Sequence, residues 1–273
     1  MRKRAEFGVS ILDCFDWPIM IRPLRPRLRA AGLHLMLSAT VALGASLVVF
    51  LIWYPSPFAS MAGATHLFLV LVAVDVAMGP ALTAVAVSPG KPRAELKRDL
   101  AVIVVLQLAA FGYGIYTVAL ARPIALVFEV DRMQLVSAAD IDPASLAEAP
   151  LALRALPWTG PRLLAAVKPT DPAEQFDVIQ LGLNGVALAA LPRYWRDYPS
   201  QAVAAWNAAR PASELLKHYP RSADDIARLA NVAGVEVPDL RFLPLRARRS
   251  ESVMLLAAQG ERVVGFLPVD GFF

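Results

Sequence analysis

The sequence predicts a membrane protein: a three-transmembrane-helix bundle followed by a small α+β extracytoplasmic domain. Three observations carry that prediction. Apolar runs at 30–53, 66–87 and 100–120 each reach the roughly 20 residues needed to cross a hydrocarbon core about 30 Å thick. Basic residues gather at the flanks of those runs. Beyond residue 122 the composition turns to that of an ordinary globular domain, long enough to bury a core of its own. With 57% hydrophobic and only 18% charged residues overall, the chain is too apolar for a typical soluble protein.

The net charge of +4 has to be located before it is interpreted. Residues 1–29 hold seven Lys/Arg against three acids, and the loop 88–99 holds four against two. From Arg122 onward sixteen basic side chains face seventeen acidic ones. The excess therefore belongs to the membrane flanks, and the positive-inside rule places both flanks in the cytoplasm. Three spans then put the C-terminal half outside, in the periplasm of a Gram-negative cell. The domains expected are a basic cytoplasmic tail at 1–29, the transmembrane bundle at 30–122 and a periplasmic α+β domain at 123–273. Nucleic acid is excluded as a partner, since no basic stripe with interleaved aromatics occurs.

The tail is broken by Pro18, Pro23 and Pro26 and is expected to be poorly ordered. It is not a cleavable signal, because the apolar run behind it is too long. Met20 offers an alternative start. Cys14 is the sole cysteine, so no internal disulfide or cysteine metal site exists, and an inert thiol is favoured over an acylated one.

Span one carries Ser38, Ala42 and Ser46 at four-residue spacing, a ridge that lets membrane helices approach closely. Trp53 and Tyr54 close it as interface anchors, and Pro55 and Pro57 stop it. The next loop carries no charge as far as Thr65, which predicts a tight hairpin.

Span two organises the bundle. It holds Asp75 at mid-depth, where an ionisable group costs a few kcal/mol unless it is protonated, paired or wet. Gly79 and Pro80 follow, and the proline should loosen the helix over 76–79. His66 opens the span. Nine residues of helix, about 13 Å, separate it from Asp75, so an interfacial imidazole bonded to the loop is favoured over a proton carrier.

The inner turn 88–92 leads to Lys97 and Arg98 at headgroup level. Span three then offers Gln107 at the depth of Asp75 and a close-approach pair, Ala110 and Gly114. An amide at Gln107 can hydrogen-bond the Asp75 carboxyl and fix register. The same two groups could line an ion path, but a conducting route needs more polar groups, and packing is favoured.

After Arg122 and Pro123, residues 124–130 read as a strand, 137–170 as loops and short helices around five prolines, and 176–191 as an apolar stretch too short for a fourth span. Tyr194, Trp195, Tyr198, Trp206 and Tyr219 read as core in preference to a partner surface. Ser222 with Asp225 has the form of a capping box before a helix over 223–232. Strands are expected at 240–245, 252–258 and 262–269, the last two joined by a turn at Gln259 and Gly260.

No catalytic or cofactor signature is present. The three histidines are scattered, no phosphate-binding glycine loop or nucleophile elbow occurs, and Asp224 and Asp225 diverge on their helix. The chain is read as no enzyme, without cofactor or metal.

An ordered series of residues carries a resemblance. It runs through Trp53, Tyr54, Pro55 and Pro57, then Gly63 and His66, Asp75, Gly79 and Pro80, Pro89, Gly90 and Lys91. It continues with Lys97, Asp99 and Leu100, Gln107, Tyr113 and Gly114, Ala121, Arg122 and Pro123, Phe128, Asp131 and Arg132. Phe242 to Leu245 and the closing hairpin through Leu267 and Pro268 are similar too. In these the chain resembles the type IV pilin accessory proteins of the TfpX/TfpZ kind. It departs from them in ending Gly271, Phe272, Phe273 after Asp270, and in a longer tail. The resemblance implies an inner-membrane, chaperone-like protein that assists assembly or display of its cognate type IV pilin without covalent chemistry. The partners implied are pilin, other pilus assembly proteins and the lipid bilayer. The alternative from another class is a small proton- or ion-coupled transporter or sensor using Asp75 and Gln107.

Overall fold

The computed structural model describes residues 24–88 and 90–273. Most of the tail, with Cys14 and Met20, and also Pro89 lie outside them. Helix α1 (Leu24–Leu47) starts six residues before the expected boundary. Pro26 sits in its first turn, where backbone N–H groups have no intrahelical partner to lose. The helix continues to Trp53 as a π-helical segment, Val48–Trp53. A short α2 (Phe58–Ala62) fills the loop, α3 covers Ala64–Ala86, and α4 covers Arg93–Leu120. Among the described residues, three helices are thus long and apolar enough to cross a membrane. The loosening expected at 76–79 is absent: α3 stays α-helical through Pro80, and the widened turn falls in span one instead.

Of the small-residue ridge, Ser38 and Ala42 are buried and Ser46 is half-buried, and Val49 of the π-helical segment continues the buried stripe. In the paired close-approach residues of α4, Gly114 lies against Leu71, but Ala110 faces outward. α1 and α4 each pack along α3, which occupies the middle of the trio.

Pro123–Glu129 forms β1 and Arg132–Ser137 forms β2, an antiparallel hairpin turned at Val130 and Asp131. Single-turn 3-10 segments follow, one closed by a capping box between Ser137 and Asp140, another capped by Asp142. Next come β3 (Arg162–Ala166), α5 (Pro172–Leu183), β4 (Trp195–Asp197), α6 (Ala202–Ala208), β5 (Arg210–Pro211), α7 (Ala212–His218) and α8 (Ala223–Ala233). The chain closes with β6 (Arg241–Arg246), β7 (Glu251–Ala257) and β8 (Arg262–Leu267).

All strands join one mixed sheet in the order β4-β3-β1-β2-β6-β7-β8, with β5 paired to β6. β1 with β3 and β2 with β6 are the parallel pairs. Alternation along the strands builds two faces. Leu126, Phe128, Leu243, Leu245, Met254 and Leu256 look to one side. Ile124 and Val127 look to the other, as do Phe242, Val253 and Leu255. Burial on both faces explains why 124–128 reads as an unbroken apolar run. The capping box expected at Ser222 does not form; Asp225 pairs with Arg228 at 2.6 Å, and Gly234 ends α8.

In the aromatic section Tyr194, Trp195 and Tyr198 are buried core, and Trp206 and Tyr219 are half-buried against it. The Phe272 and Phe273 tail is held against the sheet. Phe273 stacks on His218 at 3.7 Å, Arg210 donates to the Gly271 and Phe273 carbonyls, and Arg246 lies over Phe272.

Candidate functional site

Two places bring the residues singled out in the sequence together. The first is the level of the bundle at Asp75. Gln107, on α4, uses both protons of its amide: Nε2 donates to the backbone carbonyl of Asp75 at 2.9 Å and to Ser38 Oγ at 3.1 Å. The pairing of Gln107 with Asp75 was legible, but the partner is the main chain and not the carboxyl. Gly79 makes room for it. A Cβ at Gly79 would run into the end of the Gln107 side chain, so any larger residue there makes the amide shift from its place against α3. Asp75 is 8% exposed, and its carboxyl accepts no hydrogen bond among the described residues. Gln107 Oε1 is likewise buried without a donor.

Further polar contacts line the α1–α3 seam. His34 Nδ1 meets Thr83 Oγ1 at 2.6 Å, and Arg27 donates to Ser88 Oγ at 3.2 Å. The sequence reading missed His34 and Thr83 because each stands alone in an apolar run; their spacing from Ser38 and Asp75 was the available signal.

The second place is the junction of bundle and sheet domain. Tyr54, expected as an interface anchor, is instead 1% exposed, and its hydroxyl donates to the Val118 carbonyl at 2.7 Å. A phenol in that position finds an acceptor at the end of α4, which ties the ends of two helices together. Arg122 donates to the Ala119 carbonyl at 2.7 Å and stacks over Trp158 at 4.2 Å, while Trp53 lies 6.3 Å from the same indole. From α2, Met61 enters the core of the sheet domain and Phe58 meets Phe266 edge-on at 5.4 Å. The Arg249 backbone N–H donates to the Met61 carbonyl at 3.2 Å. Gly63 has φ +75° and lies directly under the Arg249 side chain.

His66 is exposed and makes no bond to the loop among the described residues, against expectation. Lys97 and Arg98 are exposed on α4. Nearby, Lys91 pairs with Asp99. Among the described residues no group of three or more His, Cys, Asp or Glu is placed to hold a metal.

Comparison with known proteins places this arrangement. The family model described as fimbrial assembly protein FimB matches residues 22–63, the first long helix and the loop behind it. The fimbrial assembly protein of serogroup I from Dichelobacter nodosus is 32% identical over 245 residues, covering 89% of this chain and 95% of the relative. The chain belongs to the fimbrial assembly protein family. A second family member, of serogroup E1 from the same organism, is 31% identical over the same share of each chain. A third, of serogroups C1 and C2, is 40% identical over 113 residues, 41% of this chain and 86% of that relative. No solved structure matches. The resemblance drawn from the ordered residues of 53–132 is upheld by this kinship, which extends over both bundle and sheet domain.

Proposed function

We propose that this fimbrial assembly protein is an inner-membrane, chaperone-like accessory that assists assembly or display of type IV pili through non-covalent contact with the cognate pilin. The three long helices span the membrane with the N-terminus in the cytoplasm, as the basic flanks favour. The sheet domain then lies in the periplasm, facing the space that pilin heads occupy. The bundle holds or releases the apolar helix of the subunit laterally, and residues 124–273 contact its head and set specificity.

The observation that carries this reading is kinship along nearly the whole chain with relatives named for fimbrial assembly. The fixed junction supports it: Met61 and Arg249 couple the two halves, so a subunit gripped by one is presented to the other. The transport alternative loses ground, since both amide protons of Gln107 are spent on packing bonds. Trp53 at the outer interface and Lys97 and Arg98 at the inner headgroups complete the membrane frame. Asp75, Gln107, Gly79 and Pro80 act as packing residues of the bundle, and no catalytic role is assigned.

Cells that make pilin supply the test. Photo-crosslinking from exposed positions of the sheet domain, such as Leu183, should yield an adduct identified as the cognate pilin. Loss of surface pili on deletion, with no such adduct from any external position, would overturn direct contact.

A further inference from the structure

α1 and α4 both lie along α3, and they reach each other through the bond from Gln107 to Ser38. Beside that bond the helices leave a cavity of about 90 Å³, open on one side. Leu37 and Val41 form one wall, Val104 and Leu108 the other, and Asp75 and Gln107 lie between them. The walls are apolar and outward-facing, with Leu37 and Leu108 each 63% exposed. The inner end is polar and buried.

The hydrogen-bond inventory of that inner end does not balance. It presents the Asp75 carboxyl and Gln107 Oε1, two acceptor groups, and neither receives a donor among the described residues. Both Nε2 protons of Gln107 are already placed. His34, the other titratable group on the cavity, is engaged through Nδ1 with Thr83. Buried acceptors left unmet are costly, most of all away from water. Acyl chains carry no donor, so lipid does not complete the site.

We infer that this lateral groove is a docking site for a transmembrane helix of a partner, one that presents a hydrogen-bond donor (a hydroxyl, amide or ammonium group) to Asp75 and Gln107. The missing donors specify the head group. The small volume fits one side-chain end and not a free small molecule, whose pockets run to roughly 300–1,000 Å³. The open side between two exposed apolar walls fits an apolar helix, which would turn three helices into a four-helix bundle. The inference rests on the reading that the bundle lies in the membrane and holds an apolar subunit helix.

The test uses the full chain in membranes of cells that make pilin. A photo-reactive residue replaces Leu37 or Leu108 in the groove, or Leu69, an exposed position of α3 that does not line the cavity. Groove positions should give an adduct with a single-span polypeptide, mapped within one helical turn of a donor-bearing residue, while Leu69 gives none. Asp75→Leu should cut that yield about tenfold, and Asp75→Asn, which keeps an acceptor oxygen, should preserve it. Equal unfolding midpoints for the variants would show that the bundle persists, as the Gln107 bond uses the backbone of residue 75. Adducts with lipid alone, with a second copy of this chain alone, or at undiminished yield in Asp75→Leu would overturn the inference. If Leu183 still captures pilin when the groove captures nothing, the assembly reading stands without this site; if both fail, both fall.

Discussion

At the residue scale, the strongest dependence is between a missing side chain and an amide. Gly79 is the bed on which Gln107 lies, and Gln107 in turn bonds α3 and α1 at one level. Gly79→Ala forces the amide off its two acceptors, and Gln107→Ala removes it. Each should lower unfolding stability in detergent by about 1–3 kcal/mol. Because both act on one interaction, the double variant should fall well short of the sum, and a double-mutant cycle measures the difference. Tyr198 gives a second residue-level case. Its hydroxyl donates to the Gly260 carbonyl at 2.9 Å, and burial pushes its phenol up to about 12 from 10.0. The fold thus favours the neutral form. That contribution is complete below the ordinary tyrosine pKa and is lost as pH climbs from about 10 to about 12. Denaturation midpoints across that window should drop, and less steeply in Tyr198→Phe.

At the element scale, α2 is the joint between bundle and sheet. Met61 is 4% exposed inside the core of the sheet domain, so Met61→Ala should cost about 2–5 kcal/mol and loosen the junction. Hydrogen exchange should rise at the Arg249 amide, which bonds the Met61 carbonyl, before it rises in β7. The C-terminal tail is a second small element with measurable weight. Removing residues 271–273 takes Phe273 from Arg210, which keeps Phe242, and Phe272 from Arg246, and the sheet domain should lose about 1–3 kcal/mol in a thermal melt.

What the sequence revealed at this scale follows from which signals are local. The three long helices, β1 and the closing β7–β8 hairpin were legible, since apolar runs and a turn at Gln259 act within a few residues; α8 forms where it was expected although the capping box read for it does not. β3 was not legible, because its five residues are made a strand by β1, distant in sequence, and β2 was not, because its six residues set Arg132 and Gln134 among the apolar ones and pair both with neighbouring β1 and with distant β6. Tyr54 looked like an interface anchor because an aromatic at a helix end has the same pattern whether it meets lipid or a buried carbonyl. Gln107 announced its depth, but a backbone acceptor such as the Asp75 carbonyl leaves no trace in residue types.

For the whole molecule, the bundle and the sheet domain share one junction, with Tyr54, Arg122, Trp158 and Met61 spread across it. Two halves so joined should move as one body. The proposed orientation is tested by fusing reporters after Phe273: alkaline phosphatase, active only outside the cytoplasm, should be active and a cytoplasmic reporter silent. The reverse result would remove the proposed meeting with pilin heads.

The parallel pairing of β2 with β6 has a consequence for biogenesis. Met133 sits beside Leu245, more than a hundred residues later, so the first hairpin has a bare edge until β6 has been made. A half-made chain would expose that edge, a ready template for mispairing with neighbours. Synthesis halted anywhere between the two strands should therefore leave a product that clumps or is degraded, and the cell has reason to shield the emerging chain until β6 arrives.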